Sequence, residues 1–282
     1  MTASQLALAR PPMRWPGGKT KALDVLLPAM PDDVLERPFV SLFLGGGALA
    51  YGLARAGHRG PSLLADANPC VAAVHRATMT DPAALVERLR GVTISASSYA
   101  AAADYVNAVL AGATSVPGGG PVTALDTAVA TLTLNRAGYS GLWRVSQESG
   151  RYNVSMDPSK VGKLALVEDH PERLPACSLA LHALGADIRC SDWRETLAAV
   201  WWGSRPVIFA DPPYVDPVKR GSGVLGLFGA TERQPGFRAY TRGGFPFSEQ
   251  VALCRALSEA ADHGADVIAT NAENPDLRRL YE

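Results

Sequence analysis

The sequence predicts an α/β protein built on a doubly wound parallel sheet. Five short apolar segments are typical of buried parallel strands, and stretches with helical spacing separate them. The predicted strands span residues 38–43, 62–65, 187–190, 206–210 and 265–270. The predicted helices span residues 21–30, 48–56, 82–90, 122–134, 196–202 and 248–263. Strands that alternate with helices in this way favour a layered sheet covered by helices.

The uneven spacing of the strands predicts an inserted domain. The second and third predicted strands are separated by far more chain than the roughly twelve residues that a crossover needs. We therefore assign residues 1–69 and 186–282 to the sheet domain, and residues 70–185, which are mostly helical in pattern, to an insert. A second long connection, residues 215–245, is rich in glycine and arginine, which favours a functional loop.

Composition excludes several classes of protein. The chain of 282 residues carries 27 Lys and Arg against 27 Asp and Glu, so a nucleic-acid site has to be a local basic patch. The 4 cysteines are scattered and the histidines form no HxH or HExxH motif, so no metal site is expected. We expect neither a signal peptide nor a membrane span, since long apolar runs are missing, and scattered cysteines favour the cytoplasm.

The first candidate site is a glycine turn after the first predicted strand. Phe43 and Leu44 precede three glycines, Gly45 to Gly47, which let the backbone approach a ligand closely. Asp66 follows 21 residues after Gly45, where an acidic side chain meets the ribose hydroxyls of an adenosine-containing cofactor. This pair fits a nicotinamide cofactor as well as S-adenosylmethionine, and a glycine-rich turn without any ligand has the same pattern.

The second candidate site is the sequence Asp211-Pro212-Pro213-Tyr214, which follows the fourth predicted strand. The prolines fix the backbone and leave its carbonyl groups as acceptors. Acceptors beside an aromatic ring match an exposed amino group on a flat ring. If the first and fourth strands are neighbours, both candidate sites face one crevice at the carboxyl ends of the strands. That geometry suits group transfer from an adenosyl cofactor to an amino nitrogen.

Two further segments combine basic, aromatic and glycine residues. Trp15 and Lys19 lie in RWPGGK, which lacks the first glycine of a P-loop and could close over a cofactor. Residues 135–154, NRAGYSGLWRVSQESGRYNV, suit either base contacts or a solvated polar loop. Residues 136–163 and 215–242 each carry five positive and two negative side chains, so two basic patches would flank the crevice and suit a phosphate backbone.

These motifs, in this order, resemble the Dam-type family of DNA adenine methyltransferases from Arg14 to Tyr281. The resemblance rests on W-x-G-G-K at 15–19, F-x-G-G-G at 43–47, Asp66, N-R-x-G-Y-x-G-L-x-R at 135–144, G-x-[FY]-N-V at 150–154 and D-P-P-Y at 211–214. It implies a Rossmann-like methyltransferase sheet with an inserted target-recognition domain, S-adenosylmethionine as cofactor and double-stranded DNA as partner. It further implies methylation of the exocyclic amino nitrogen of adenine, and it leaves open a cognate restriction endonuclease as partner. We expect the protein to be a monomer.

The resemblance assigns roles to individual residues. The catalytic residues, which would hold the target adenine, are Asp211, Pro212, Pro213 and Tyr214. The cofactor-binding residues are Trp15, Lys19, Phe43, Gly45, Gly47, Asp66, Asp192, Trp193 and Asp211. The DNA-binding residues are Asn135, Arg136, Tyr139, Ser140, Arg144 and Asn153. Arg144 would contact a guanine of the target, for which GATC is the leading sequence.

The chain departs from the family pattern in three places. Ser140 and Ser146 replace asparagines, residues 270–273 (TNAE) replace an S-N-H-D-T-like box, and the sequence stops where the family usually continues into a β-hairpin. These departures leave open a catalytically impaired DNA-binding module of the same fold. The D-P-P-Y motif also allows a methyltransferase that acts on cytosine in DNA, adenine in RNA or a protein glutamine. The glycine turn and Asp66 taken alone would suit a nicotinamide-dependent dehydrogenase.

Overall fold

The computed structural model describes residues 3–116, 119–166, 172–214, 244–273 and 275–281. Its centre is a five-stranded parallel sheet in the order β3-β2-β1-β4-β5. The strands are β1 (Phe39–Ser41), β2 (Ser62–Asp66), β3 (Ala186–Cys190), β4 (Val207–Ala210) and β5 (Asp266–Ala269). The predicted α/β class and all five predicted strands are thereby confirmed.

Helices occupy the connections between the strands. The α-helices of the described residues are α1 (Ala3–Ala7), α2 (Leu23–Leu26), α3 (Ala48–Ala56), α4 (Pro69–Thr80), α5 (Pro82–Arg90), α6 (Ala96–Leu110), α7 (Ala124–Ala137), α8 (Arg173–Ala183), α9 (Trp193–Ala198), α10 (Phe247–Asp262) and α11 (Pro275–Tyr281). The helices predicted at 48–56 and 82–90 coincide with α3 and α5, and those predicted at 122–134 and 248–263 correspond to α7 and α10. Within the described ranges, none of the helices has the length and apolarity that a bilayer span requires.

Two predicted helices differ from the structure. In the segment 21–30, α2 is a single turn that follows a 3-10 turn at Lys19–Ala22, and Pro28 lacks the N–H that would continue it. In the segment 196–202, α9 begins earlier because the Asp192 side chain accepts the Arg194 N–H and caps the helix. It ends at Ala198, before a separate 3-10 turn.

The sheet has an apolar core on each face, as the alternation of side chains along a strand requires. On one face, Phe39 and Phe209 pack in a core cluster with residues of α3 and α8. On the other face, Val40 and Ile208 pack with residues of α9 and α10. Covering helices on both faces explain why the strands are short, continuous apolar segments.

The described residues of the connection between β2 and β3 include the helices α4 to α8. Residues of α4, α5 and α7 share one core cluster. Leu174 of α8 joins this cluster as well, whereas Cys177 and Leu181 of α8 belong to the cluster that also contains sheet residues. The last helix of this connection thus returns to the sheet. The division into domains at residues 70 and 185 stays a prediction.

The strand order fixes where a ligand can bind. Strands β1 and β4 are direct neighbours, with Phe39 opposite Val207 and Ser41 opposite Phe209. The chain proceeds from β1 to β2 and β3 on one side, and continues with β4 and β5 on the other. The order therefore reverses between β1 and β4, where ligands of open α/β sheets bind.

Candidate active site

A cleft of about 810 Å³ opens beyond the carboxyl ends of β1, β2 and β4. Both the glycine turn after β1 and the Asp211–Tyr214 segment after β4 border it. The expectation that they face one crevice is confirmed by the pairing of β1 with β4. The residues predicted from the sequence that line the cleft are Trp15, Lys19, Phe43, Gly45, Gly47, Asp66, Asn135, Arg136, Asp192, Trp193, Asp211, Pro212, Pro213 and Tyr214.

The turn after β1 requires glycine for two reasons. Gly45 and Gly47 have φ values of +50° and +76°, in the left-handed region that glycine tolerates best. In addition, a Cβ atom on Gly45 would lie 2.7 Å from the indole of Trp15. Trp15 therefore packs directly against the turn, and a larger residue at position 45 would displace it.

Asp66 is tied to this turn by backbone donors. Its Oδ2 accepts a hydrogen bond from the Gly45 N–H at 2.8 Å, and its Oδ1 accepts one from the Asn68 N–H at 2.9 Å. Burial raises the pKa of Asp66 to about 6, although these two hydrogen bonds act in the opposite direction. Each carboxylate oxygen keeps a second lone pair for a ligand.

A buried histidine lies behind the same turn. The Nε2 atom of His75 is 2.8 Å from the Gly45 carbonyl oxygen, and its Nδ1 atom is 3.0 Å from the Tyr51 hydroxyl. A carbonyl can only accept, so Nε2 carries the proton and Nδ1 accepts from Tyr51. Burial lowers the pKa of His75 to about 4, which keeps the ring neutral. Sequence reasoning gave the histidines no role, since no local motif marks this contact.

Asp211 is surrounded by side-chain donors. The Lys19 ammonium is 2.5 Å from Asp211 Oδ2 and 2.6 Å from the Tyr214 hydroxyl. The Tyr214 hydroxyl donates to Asp211 Oδ1 at 3.0 Å, and the Thr270 hydroxyl donates to the same oxygen at 2.6 Å. Lys19, a predicted cofactor-binding residue, thus contacts the Asp211 carboxylate. Thr270 stood out in the sequence only as a departure from the family pattern.

A second set of contacts fixes the backbone of the Asp211–Tyr214 segment. The fully buried Gln250 of α10 donates to the Pro213 carbonyl at 3.0 Å. Its own Oε1 accepts from the Asn271 side chain, which follows β5, at 2.9 Å. Neither residue was a predicted site residue, because their contact with Pro213 depends on how α10 and β5 pack.

The remaining predicted cofactor residues form the aromatic and acidic wall of the cleft. Phe43 packs edge-on against Phe245, with ring centroids 5.6 Å apart. Asp192 uses a carboxylate oxygen to accept the Arg194 N–H at the start of α9. The Trp193 ring is 4 % exposed and lies 4.1 Å from the Arg194 guanidinium.

The stretch 135–154 begins with Asn135, whose side-chain amide is hydrogen-bonded to backbone groups. Asn135 Oδ1 accepts from the Arg14 N–H at 2.9 Å, and its Nδ2 donates to the carbonyls of Arg14 and Gly141 at 2.8 Å and 3.0 Å. Asn135 is 7 % exposed. It joins the segment before Trp15 to the turn that follows α7, and its assignment as a DNA contact stays a prediction.

The other predicted DNA-binding residues, apart from Arg136, do not line the cleft. Tyr139 is 63 % exposed, and Ser140 beside it has φ +56°, a conformation in which asparagine and glycine are more common than serine. Arg144 donates from Nε to Asn153 Oδ1 at 2.7 Å and from Nη2 to the Asn153 carbonyl at 2.9 Å, which bridges the two ends of the turn. The basic segment 215–242 lies outside the described residues.

Comparison with known proteins assigns the family. A family model described as D12 class N6 adenine-specific DNA methyltransferase matches residues 15–221, more than half of the chain. The chain belongs to this family. The match includes the cleft-lining segments from Trp15 to Tyr214, and it confirms the resemblance that the motifs suggested.

Relatives of this D12 methyltransferase carry consistent names. A DNA N-6-adenine-methyltransferase of Escherichia phage P1 is 28% identical over 95% of this chain, which spans only 30% of the phage protein. The retron Ec67 DNA adenine methylase of Escherichia coli is also 28% identical, over 95% of this chain and 79% of its own length. A DNA adenine methylase of Vibrio cholerae is 24% identical, over 95% of this chain and 83% of its own.

The family determines the general chemistry of the site. An adenine-specific DNA methyltransferase acts on DNA and needs a methyl donor. In the parts of the chain that the structure describes, no group of three or more His, Cys, Asp or Glu side chains is arranged to hold a metal ion.

Proposed function

We propose that this chain transfers a methyl group from S-adenosylmethionine to the N6 amino nitrogen of adenine in double-stranded DNA. The observation that carries the proposal is the single cleft shared by two motifs. Asp211 and Pro212 after β4 lie across the reversal of strand order from the glycine turn and Asp66. Family membership supports adenine in DNA as the substrate.

The turn side of the cleft fits the methyl donor. Asp66 faces the cleft with lone pairs that two ribose hydroxyls can use, and Trp15 and Phe43 provide aromatic surface beside it. Asp192 and Trp193, at the end of β3, would border its adenine. When bound, S-adenosylmethionine supplies a methyl group on a positively charged sulfur, so positioning and electrostatics are the main tasks of the protein.

The Asp211 side of the cleft fits the acceptor nitrogen. In our proposal, the target adenine leaves the duplex, since its amino group is otherwise paired and stacked. The Asp211 carboxylate and the Pro212 carbonyl accept its two amino hydrogens, and Tyr214 provides a ring for stacking. These acceptors stabilise the positive charge that develops on the nitrogen during methylation. The hydrogen bond from Thr270 to Asp211 supports an active site despite the altered sequence at 270–273.

In this proposal, the stretch 135–154 recognises the DNA. The exposed Tyr139 is available to stack or wedge beside the extruded base. Arg144 would exchange its hydrogen bonds to Asn153 for hydrogen bonds to a guanine edge. The DNA-contacting set comprises Asn135, Arg136, Tyr139, Ser140, Arg144 and Asn153. The target is a short sequence that contains adenine and guanine, with GATC as the leading candidate.

The proposed enzyme acts as a monomer, since one chain contributes both sides of the cleft. Phage and bacterial relatives support action on DNA in the cytoplasm. A cognate restriction endonuclease is its candidate partner.

Modification-sensitive sequencing tests the proposal. The wild-type protein and its Asp211→Ala variant are expressed in a host without DNA methyltransferases, and the genomic DNA of each is sequenced. We expect N6-methyladenine at one short motif with the wild type and none with the variant. Methylated cytosine, unmodified DNA in both strains, or equal methylation by the variant would each contradict the proposal.

A further inference from the structure

The first glycine of the turn, Gly45, is held from both sides by side chains that come from other elements. The Gly45 N–H donates to Asp66 at the end of β2, and the Gly45 carbonyl accepts from His75 on α4. The side chain of Asp66 lines the cleft, whereas His75 is fully buried. The two peptide groups that flank Gly45 are therefore fixed by groups outside the turn.

The His75 ring is itself fixed by a second buried group. The Tyr51 hydroxyl of α3 donates to Nδ1, so that Nε2 carries the proton that the Gly45 carbonyl needs. The Cys177 thiol beside Tyr51 donates to the Arg10 carbonyl at 2.8 Å, and Arg10 also lines the cleft. A row of buried hydrogen-bonding side chains thus runs behind the cleft wall.

Packing adds to the hydrogen bonds. A Cβ atom on Gly47 would lie 3.0 Å from the His75 ring and 3.0 Å from the Tyr51 ring. The centroids of the two rings are 5.9 Å apart; both rings pack against the turn, and neither lines the cleft. Loss of the His75 donor would leave the buried Gly45 carbonyl without its hydrogen bond, which favours a shift of the turn.

We propose that His75, oriented by Tyr51, is a positioning residue that holds the Gly45 turn in the shape that binds the methyl donor. The inference rests on the proposed function, because it takes the turn as the wall of the methyl-donor site. His75 touches neither the methyl donor nor the target base. Its expected effect is therefore on affinity for the donor rather than on the chemical step.

Two substitutions that both introduce an amide, His75→Gln and His75→Asn, separate the effect of the hydrogen bond from the effect of packing. In His75→Gln, the amide nitrogen stands as many bonds from Cα as Nε2 does and can donate to Gly45. In His75→Asn, the amide nitrogen stands one bond closer to Cα, at the position of Nδ1, and does not reach the Gly45 carbonyl. We expect the Asn variant to bind S-adenosylhomocysteine about fivefold to tenfold more weakly, as for one lost hydrogen bond. We expect the Gln variant to stay within about twofold of the wild type.

His58 offers a matched control. It is 2 % exposed and packs against Phe39 at the start of β1, outside the cleft. His58→Asn makes the same change at a buried histidine and should leave donor affinity unchanged. Titration calorimetry gives the donor affinity of each variant, and thermal melting without donor shows whether it is folded. Steady-state kinetics should show a raised donor KM in His75→Asn, with kcat and the KM for DNA retained.

The outcomes separate this inference from the proposed function. If the wild type methylates adenine and His75→Asn binds the donor as tightly as His75→Gln, the inference is overturned and the proposed function stands. Equal losses of donor and DNA affinity in both variants would also overturn it, because they would indicate a purely structural role. A wild-type protein that binds no donor would overturn both.

Discussion

The two carboxylates of the cleft are held in contrasting ways. Asp66, the last residue of β2, accepts hydrogen bonds from backbone N–H groups of Gly45 and Asn68. Asp211, after β4, accepts hydrogen bonds from the side chains of Lys19, Tyr214 and Thr270. Backbone donors are fixed by the strands and turns that carry them, whereas side-chain donors can rotate away. The position of the Asp66 carboxylate is therefore fixed before any ligand binds, whereas the Asp211 carboxylate can exchange its hydrogen-bond partners.

This difference matches the two ligands in the proposed function. A methyl donor of constant structure suits a rigid site made by backbone groups. An amino group that arrives on a base extruded from DNA has to join or replace Lys19 at Asp211. The comparison predicts that changes on the Asp66 side alter affinity for the donor, and that changes on the Asp211 side alter turnover.

The largest effect is expected from Asp211→Ala. Removal of an acceptor that stabilises developing charge should lower kcat by about 100-fold or more. The affinity for S-adenosylmethionine should change far less, because Asp66 and the turn remain. Single-turnover methylation and calorimetry measure the two quantities. Near-wild-type turnover, or a loss confined to donor binding, would contradict the different roles predicted for Asp66 and Asp211.

The opposite pattern is expected from Asp66→Ala. Loss of hydrogen bonds to a charged group should weaken donor binding by about 1.5–3 kcal/mol, or roughly 10-fold to 160-fold. At saturating donor, kcat should stay close to that of the wild type. Calorimetry and donor-dependent kinetics test this, with the thermal melting temperature as a control for folding. Unchanged affinity would mean that the Asp66 carboxylate does not contact the donor.

The donor affinity should also depend on pH through Asp66. Because the pKa of this group is raised to about 6, it is charged at pH 8 and mostly protonated at pH 5. Ribose hydroxyls bind the charged form more strongly, so affinity should fall by roughly tenfold from pH 8 to pH 5. Calorimetry across this range gives the profile. Asp66→Asn should bind weakly and without this pH dependence, and an equally steep profile in that variant would assign the effect to another group.

The smallest effect is expected from Thr270→Val on the Asp211 side. The variant loses one hydroxyl donor to Asp211 Oδ1 but keeps the shape of the side chain. We expect kcat to fall about fivefold, as for one hydrogen bond of about 1 kcal/mol, with donor affinity retained. Thr270→Ser keeps the hydroxyl and serves as the matched control. Equal kinetics in the Val and Ser variants would show that the hydroxyl does not help to hold Asp211.

Much of the fold follows from local patterns in the sequence. All five strands form at the short segments that the sequence predicts, next to turn residues, and α3 and α5 begin and end where the spacing predicts. The predicted bounds of two helices, α2 and α9, were wrong because a single residue in each case changed where the helix begins or ends. Pro28 restricts α2 to one turn, and the Asp192 cap moves the start of α9 ahead of the predicted residue.

The stretch 135–154 shows where composition alone is insufficient. Asn135 and Arg144 have the donor and acceptor groups that suit a base, and the sequence could not tell which groups are already used. Asn135 is committed to the backbone of Arg14 and Gly141, and Arg144 to Asn153. Which of these groups pair depends on how the turn folds and on how it packs against the segment before Trp15, so only the structure could reveal them.

The sequence by itself determined the strands, the glycine turn and the Asp211–Tyr214 segment, because apolar runs, glycine and proline act on their own neighbourhood. The tertiary structure decided which distant residues meet. Lys19 reaches Asp211 across 192 residues, Thr270 reaches it across 59, and His75 reaches Gly45 across 30. These contacts depend on the adjacency of β1 and β4 and on the packing of α4 behind the turn. No local pattern encodes them, since the free energy that brings these elements together comes from burial of the whole core.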